Sequence, residues 1–126
     1  MIGYVTLGTN DMDKGAAFYD ALLGMLGAGR MMESEKGIVW AIDPSKPAFS
    51  LMHPHDGNPA SVGNGVMIAL AVGSNEQVDK MHAKALELGG TDEGAPGPRG
   101  ENTGFYAGYF RDLDGNKLNV FHWSMG

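Results

Sequence analysis

The sequence predicts an α+β fold in which one βαβββ module occurs twice along the chain. The first observation is an internal repeat: the stretch that starts at Tyr4 matches, without a gap, the stretch that starts at Met67, half the 126-residue chain further on. The second is that each copy opens with alternating apolar residues and continues with a helical apolar stripe that ends at glycine. Together these patterns predict a duplicated unit of strand, helix and further strands.

Each repeat begins with a predicted strand whose alternate residues point to opposite faces of a sheet. The positions assigned to the helix-covered face are Val5, Leu7, Ile68 and Leu70. Those assigned to the other face are Tyr4, Thr6, Met67 and Ala69. We therefore expect each sheet to have one face under a helix and a second face that is free to form a site.

The helices carry local start and stop signals. Asn10 or Asp11 is placed to cap the first helix, which Gly27 is predicted to end. Ser74 followed by Gln77 is a capping-box pattern at the start of the second helix, and Gly89-Gly90 marks its end. The apolar stripe between these signals predicts one amphipathic helix in each module.

Three further strands are predicted after each helix. Their ranges are Arg30–Ser34, Ile38–Ile42 and Ala48–His53, then Thr91–Glu93, Phe105–Phe110 and Lys117–Trp123. The glycine- and proline-rich segment Gly94–Gly104 is predicted to be a long loop. The expected architecture is a single domain, residues 1–126, made of modules 1–56 and 64–126. Its curved, partly closed eight-stranded sheet surrounds a central trough, with one helix outside each module.

Composition excludes several classes of function. The net charge is −6 and no cluster of Lys and Arg exceeds two residues, which disfavours nucleic acid as a partner. The chain has no cysteine, so disulfides and thiolate chemistry are excluded. The N-terminus lacks a signal-peptide pattern, and the longest apolar run, Val66–Val72, is too short to span a bilayer. We therefore expect a cytoplasmic protein without a membrane partner.

The predicted trough face is aromatic, soft and uncharged. The residues proposed to contact a ligand there are Tyr4, Thr6, Ser50, Met52, Met67, Asn119 and Phe121, with Trp40, Tyr106 and Tyr109 as further aromatic candidates. Arg99, in the predicted loop, is the cation placed to meet an acidic group of a ligand. An alternative site is the HPHDGNP segment, where His53, His55 and Asp56 are possible metal donors, although its Pro and Gly predict a turn.

Two motifs carry a family resemblance, TNDMDKGAAFYDALLG after the first strand and YFRDLDGNKLNVF near the end. With the duplicated modules, they make the chain similar to the vicinal oxygen chelate superfamily, which includes glyoxalase I, extradiol dioxygenases and bleomycin-resistance proteins. The resemblance implies metal-ligand positions at Tyr4, Ser50, Met67 and Asn119, where the enzymes mostly carry His, Gln and Glu. Because these four side chains are uncharged, we predict no metal cofactor, with a divalent metal as the alternative.

The resemblance leaves three functions open. The first is a metal-independent protein that binds a small aromatic or amphipathic organic molecule in the trough. The second is an enzyme with noncanonical metal ligands, either a glyoxalase I-like lyase or isomerase of the lactoylglutathione lyase type, or an extradiol-type dioxygenase. The third is a protein that only dimerises or binds partners through its sheets. In each case a homodimer is the expected assembly, because twofold association is the commonest kind.

Overall fold

The computed structural model describes residues 1–124, which form two helices and eight strands. The first half contains β1 (Tyr4–Gly8), α1 (Met12–Gly24), β2 (Gly29–Glu33), β3 (Gly37–Ala41) and β4 (Ala48–Met52). The second contains β5 (Ile68–Ala71), α2 (Asn75–Glu87), β6 (Thr91–Pro98), β7 (Phe105–Arg111) and β8 (Lys117–Trp123). The predicted α+β class and the two βαβββ modules are confirmed.

The chain forms two compact units, and the first of them is Met1–Val62. Its sheet has the strand order β1-β4-β3-β2, and the sheet of the second unit has the equivalent order β5-β8-β7-β6. In both sheets the first strand runs parallel to the last, and the other neighbours are antiparallel. The repeat seen in the sequence is therefore a repeat of topology.

The core of the first unit is an aromatic cluster between α1 and the sheet. The Tyr19 ring lies 4.7 Å from that of Phe49 and 5.9 Å from that of Trp40, and all three are buried. The Trp40 indole donates a hydrogen bond of 2.9 Å to Asp20 on α1. The expectation that Trp40 faces the trough is therefore wrong. Trp40 is the register partner of Phe49 on β4, so it shares the helix-covered face.

Asp20 ties α1 to the strand that follows it. Its carboxylate accepts hydrogen bonds of 2.9 and 2.7 Å from Nε and Nη2 of Arg30 on β2. The bond from Arg30 is the main reason that the pKa of Asp20 lies below its usual value of 3.8, with the Trp40 bond acting in the same direction. This ion pair joins α1 to β2, the edge strand farthest from β1 in the sheet.

Both predicted N-caps are present. The Asp11 side chain accepts a hydrogen bond from the Lys14 N–H, and the Ser74 hydroxyl accepts one from the Gln77 N–H. The Gln77 side chain accepts from the N–H of Gly73, one residue before the cap. The helix α1 ends at Gly24, earlier than predicted, because the turn after it takes three more residues to reach Gly27 at φ +80°.

The second unit packs α2 against β7 and β8. The His82 ring lies against Gly108, where an added Cβ would be 3.0 Å from it, and its Nε2 lies 3.0 Å from Asp92 and 3.1 Å from the Tyr109 carbonyl oxygen. The Tyr106 hydroxyl donates to Asp79 of α2 at 2.6 Å. The expectation that Tyr106 faces the trough is therefore wrong, because its hydroxyl is bonded to the helix.

The strand β6 is longer than predicted. It continues through Pro98, so the first five residues of the segment Gly94–Gly104, which was predicted to be a loop, belong to a strand. Its pairing with β7 is irregular between Asp92 and Gly94 and again between Gly94 and Gly97. Such bulges and prolines are tolerated because β6 is an edge strand. Among residues 1–124, no helix is long and apolar enough to cross a membrane.

Candidate functional site

In each unit the face of the sheet opposite the helix is here called the open face. On the open face of the first unit, Thr6 of β1 is the register partner of Ser50 of β4. Their hydroxyl oxygens are 2.7 Å apart, and the Ser50 hydroxyl donates to the Val5 carbonyl at 2.9 Å. Ser50 is fully buried, whereas 69% of Tyr4, at the start of β1, is exposed. The hydrogen bonds of the Ser50 hydroxyl thus join β4 to β1.

A cavity of about 780 Å³ lies at the end of this open face. Thr6, Gly8 and Met52 line it from the strands, and Glu35 and Lys36 line it from the turn before β3. The remaining lining residues come from the chain after β4: His53, Pro54, His55, Asp56, Pro59, Ala60 and Ser61. The cavity combines apolar surface with ionisable groups of both signs.

Asn10 holds in place the segment 59–61, which lines one side of the cavity. The Asn10 amide donates to the Ala60 carbonyl at 3.0 Å, and the Ala60 N–H donates to the Asn10 Oδ1 at 2.6 Å. Gly8 allows this approach, since a Cβ on that residue would lie 3.0 Å from the Cβ of Ala60. The cavity wall is therefore organised by specific contacts before any ligand binds.

The segment His53–Asp56 lies on this cavity, but its side chains do not converge. In the part of the chain that the structure describes, no group of three or more His, Asp or Glu side chains is placed to hold a metal ion. The backbone N–H of His53 donates to the Lys36 carbonyl at 2.9 Å, which ties the end of β4 to the turn before β3. His53, His55 and Asp56 are thus neighbours along the cavity wall without forming a chelating cluster.

The open face of the second unit contains a buried amide. Asn119 of β8 is only 2% exposed, and its Oδ1 has no hydrogen-bond partner among the described residues. Its register partner on β7 is Tyr109. Two positions along β8, the Phe121 ring stacks on that of Phe105 with centroids 5.3 Å apart. A buried acceptor without a partner is unusual in a folded protein and marks this position as a candidate for ligand contact.

Arg99 follows β6 directly and folds back over the open face. Its guanidinium donates to the carbonyl oxygens of Ala95, Gly97 and Pro98 at 2.7, 3.2 and 3.4 Å. The same guanidinium lies 5.3 Å from the centroid of the Tyr109 ring, and the Lys117 ammonium lies 5.6 Å from that centroid. Sequence reasoning missed Lys117, although its place two residues before Asn119 on one strand puts both on the same face.

The four positions at which the resemblance implies metal ligands do not fit a divalent metal. Tyr4 offers an exposed phenol and Ser50 a hydroxyl already bonded to backbone, while Met67, just before β5, offers a thioether that is 39% exposed. Asn119 offers a buried amide oxygen without a partner among the described residues. Hard divalent cations need several oxygen ligands, usually with carboxylates among them, and this set has no carboxylate and no imidazole.

Comparison with known proteins agrees with the observed fold. Residues 1–120 match the family described as the Glyoxalase/Bleomycin resistance protein/Dioxygenase superfamily. A glyoxalase/bleomycin resistance protein from Albidiferax ferrireducens T118 is 38% identical, with a TM-score of 0.87 over 97% of this chain and 98% of that one. A hypothetical protein from S. aureus is 28% identical, with a TM-score of 0.75 over 97% of this chain and 92% of that one.

A more distant similarity is to the lactoylglutathione lyase from Agrobacterium tumefaciens. It is 20% identical, with a TM-score of 0.69 over 97% of this chain and 92% of that one. At this identity the likeness shows a shared fold. Among curated proteins, none matches this sequence.

Proposed function

The chain belongs to the glyoxalase/bleomycin resistance protein/dioxygenase superfamily, and on that premise we propose that it binds a small aromatic or amphipathic organic molecule without a metal ion. The observation that carries the proposal is the cavity on the open face of the first unit. Its volume of about 780 Å³ lies within the range of about 300–1,000 Å³ that is usual for small-molecule sites. Thr6 and Met52, two of the residues predicted to contact a ligand, line it.

The chemistry of the cavity suits an amphipathic ligand. Met52, Pro54 and Pro59 supply apolar surface, and a thioether side chain adapts to ligands of different shape. Glu35, Lys36 and the two imidazoles supply polar contacts that orient the ligand. The wall held by Asn10 reduces the conformational entropy lost on binding, because it is ordered in the free protein.

Metal independence is supported by the donor set at the four family positions. A phenol, a hydroxyl bonded to backbone, a thioether and an amide supply neither charge nor imidazole nitrogen. On this view the protein sequesters or carries its ligand, as expected for a resistance or binding protein.

A second candidate, a metal-dependent lyase or dioxygenase with noncanonical ligands, is favoured by one observation. His53, His55, Asp56 and Glu35 line the same cavity and are donor types that transition metals bind. Metal analysis of protein purified without a histidine tag separates the two candidates. Stoichiometric Zn, Ni, Mn or Fe that survives dialysis, with a chelator-sensitive activity, supports the enzyme and contradicts the proposal.

Binding itself is tested by a thermal-shift screen of aromatic acids, thiol conjugates and glycopeptide-like drugs. A ligand that binds only the folded protein stabilises it by about 2.7 kcal/mol at a hundredfold excess over its Kd. For a ligand in the cavity, Met52→Glu should remove the stabilisation because it adds a charge to the apolar lining. Met32→Glu is the matched control, since Met32 is 60% exposed on β2 and lies outside the cavity lining.

Two outcomes contradict the proposal. One is a screen in which no compound raises the melting temperature. The other is a set of ligands whose stabilisation is the same in the wild type and in both Met variants, because such ligands bind outside the cavity.

A further inference from the structure

Two cations flank one aromatic ring on the open face of the second unit. The Arg99 guanidinium carbon is 5.3 Å and the Lys117 ammonium 5.6 Å from the centroid of Tyr109. All three side chains are half-buried. Cations gain from the face of an aromatic ring, and this attraction gathers two positive charges into one small region.

The position of Arg99 depends on the backbone around it. Three carbonyl oxygens, those of Ala95, Gly97 and Pro98, accept hydrogen bonds from the guanidinium. Glycine at 94 and 97 leaves the necessary space, because an added Cβ at either position would lie 3.3 Å from a guanidinium nitrogen. The arginine is therefore ordered before a ligand arrives, which lowers the entropic cost of using it.

Among the described residues, Arg99 differs from the other two arginines in lacking a carboxylate partner, and Lys117 has none either. Arg111 pairs with Glu93 at 2.5 Å, and Arg30 pairs with Asp20 at 2.7 Å. Neither Arg99 nor Lys117 makes an ion pair with any of residues 1–124. In a chain of net charge −6, two neighbouring unpaired cations form a local site of opposite sign that attracts anions.

The buried Asn119 amide lies beside this pair. Asn119 is the register partner of Tyr109, and opposed side chains in an antiparallel pair have Cβ atoms about 5 Å apart. Its Oδ1 is buried and accepts no hydrogen bond from the described residues. The two cations over the Tyr109 ring and, on the neighbouring strand, a buried acceptor that lacks a donor thus belong to one face of the sheet.

We propose that this face binds an aromatic carboxylate that also carries a hydrogen-bond donor. The carboxylate meets Arg99 and Lys117, the donor meets Asn119 Oδ1, and the ring lies along the apolar surface that Phe121 extends on the same strand. The inference rests on the proposed function only in that the chain binds small organic molecules. It adds the charge of the ligand and the groups that recognise it.

The experiment uses three matched probes: 4-hydroxybenzoate, its neutral amide 4-hydroxybenzamide, and 4-methoxybenzoate, which keeps the charge and loses the donor. Calorimetric titration gives the Kd of each for the whole chain. We expect 4-hydroxybenzoate to bind about tenfold more tightly than either analogue, the scale of one charge-assisted hydrogen bond or one unpaired buried acceptor. The preference over the amide should fall as salt is added.

Lys117→Met should remove most of the preference for the carboxylate over the amide. It should leave folding intact because, within residues 1–124, the Lys117 ammonium interacts with the Tyr109 ring and forms no ion pair. Lys80→Met is the control: it removes one positive charge from α2, which covers the opposite face of the sheet, and should leave the preference unchanged.

The outcomes separate this inference from the proposed function. If the amide binds as tightly as the carboxylate, or if the two lysine variants behave alike, the inference is overturned while small-molecule binding stands. Absence of millimolar binding by all three probes also overturns it, even if other compounds of the screen bind in the cavity. Selective binding of 4-hydroxybenzoate that Met52→Glu leaves unchanged, in a screen where no compound depends on Met52, would contradict the cavity proposal and support this inference.

Discussion

Replacing Asn119 by leucine should make the free protein more stable. Asn119 is 2% exposed, and its Oδ1 has no hydrogen-bond partner in the described chain. A buried acceptor left unpaired costs about 1–3 kcal/mol relative to its hydrated state in the unfolded chain. Leucine branches at the same atom and has no polar group, so Asn119→Leu removes that cost. We expect the free energy of unfolding to rise by about 1–2 kcal/mol.

Urea unfolding with equal m-values measures this gain directly, and each 1 kcal/mol should also raise Tm by about 4 °C in a chain of this length. Asn116→Leu is the matched control. Asn116 is 8% exposed, but its amide donates to Asp112 at 2.9 Å. Loss of that bond leaves the Asp112 carboxylate short of a donor, so the control should lose about 1–3 kcal/mol.

Opposite signs for the two variants are the expected result. If Asn119→Leu destabilises the protein as much as Asn116→Leu does, the Asn119 oxygen is satisfied in solution, and the argument that it awaits a ligand fails. Asn119→Leu should also weaken the binding of 4-hydroxybenzoate. Asn119 would then be a residue that lowers the stability of the free protein but is kept because ligand binding requires it.

Three further predictions concern the first unit and the assembly. Asn10→Ala removes both hydrogen bonds to Ala60 and should lower the free energy of unfolding by about 1 kcal/mol and speed proteolysis of residues 57–62; unchanged cleavage would contradict this role. The lowered pKa of Asp20 beside Arg30 means that its stabilisation is present above pH 3.8 and is lost as the pH falls through the folded-state pKa. The difference in unfolding free energy between wild type and Asp20→Asn should therefore shrink in acid, and a constant difference would refute the linkage. Light scattering should give twice the chain mass of 13.3 kDa, whereas the mass of one chain would exclude the homodimer.

Local patterns were sufficient to predict most of the fold. The caps at Asp11 and Ser74 follow from side chains that satisfy the first N–H groups of a helix, so short-range chemistry identifies them. β8 was predicted with its observed bounds because its alternation is regular. The start of β6 was predicted at Thr91–Glu93, but its continuation through Gly94–Pro98 was not, because the glycines and prolines there resemble a loop and only pairing with β7 makes the segment a strand.

The candidate site was harder to predict because it depends on register. The face on which Trp40 lies follows from its pairing with Phe49, which no short-range pattern reveals. The cavity depends on contacts between residues fifty positions apart, Asn10 and Ala60. Likewise, the pairing of Arg99 with Lys117 around Tyr109 requires a bulged strand that folds an arginine back over the sheet. The alternation of apolar and polar residues indicated which side chains share a face of a sheet, but not which of them contact each other.

The space occupied by the Arg99 guanidinium has an evolutionary consequence. An added methyl group at Gly97 would lie 3.3 Å from Nη1, closer than most carbon contacts, and would push the guanidinium from its place over Tyr109. Exchange of glycine for alanine at this position would alter ligand preference while every charged residue and the buried amide stayed in the sequence. A change at a glycine that never touches the ligand can therefore alter which ligands relatives with this fold bind. A comparison restricted to charged and polar positions would miss that change and treat such relatives as equivalent.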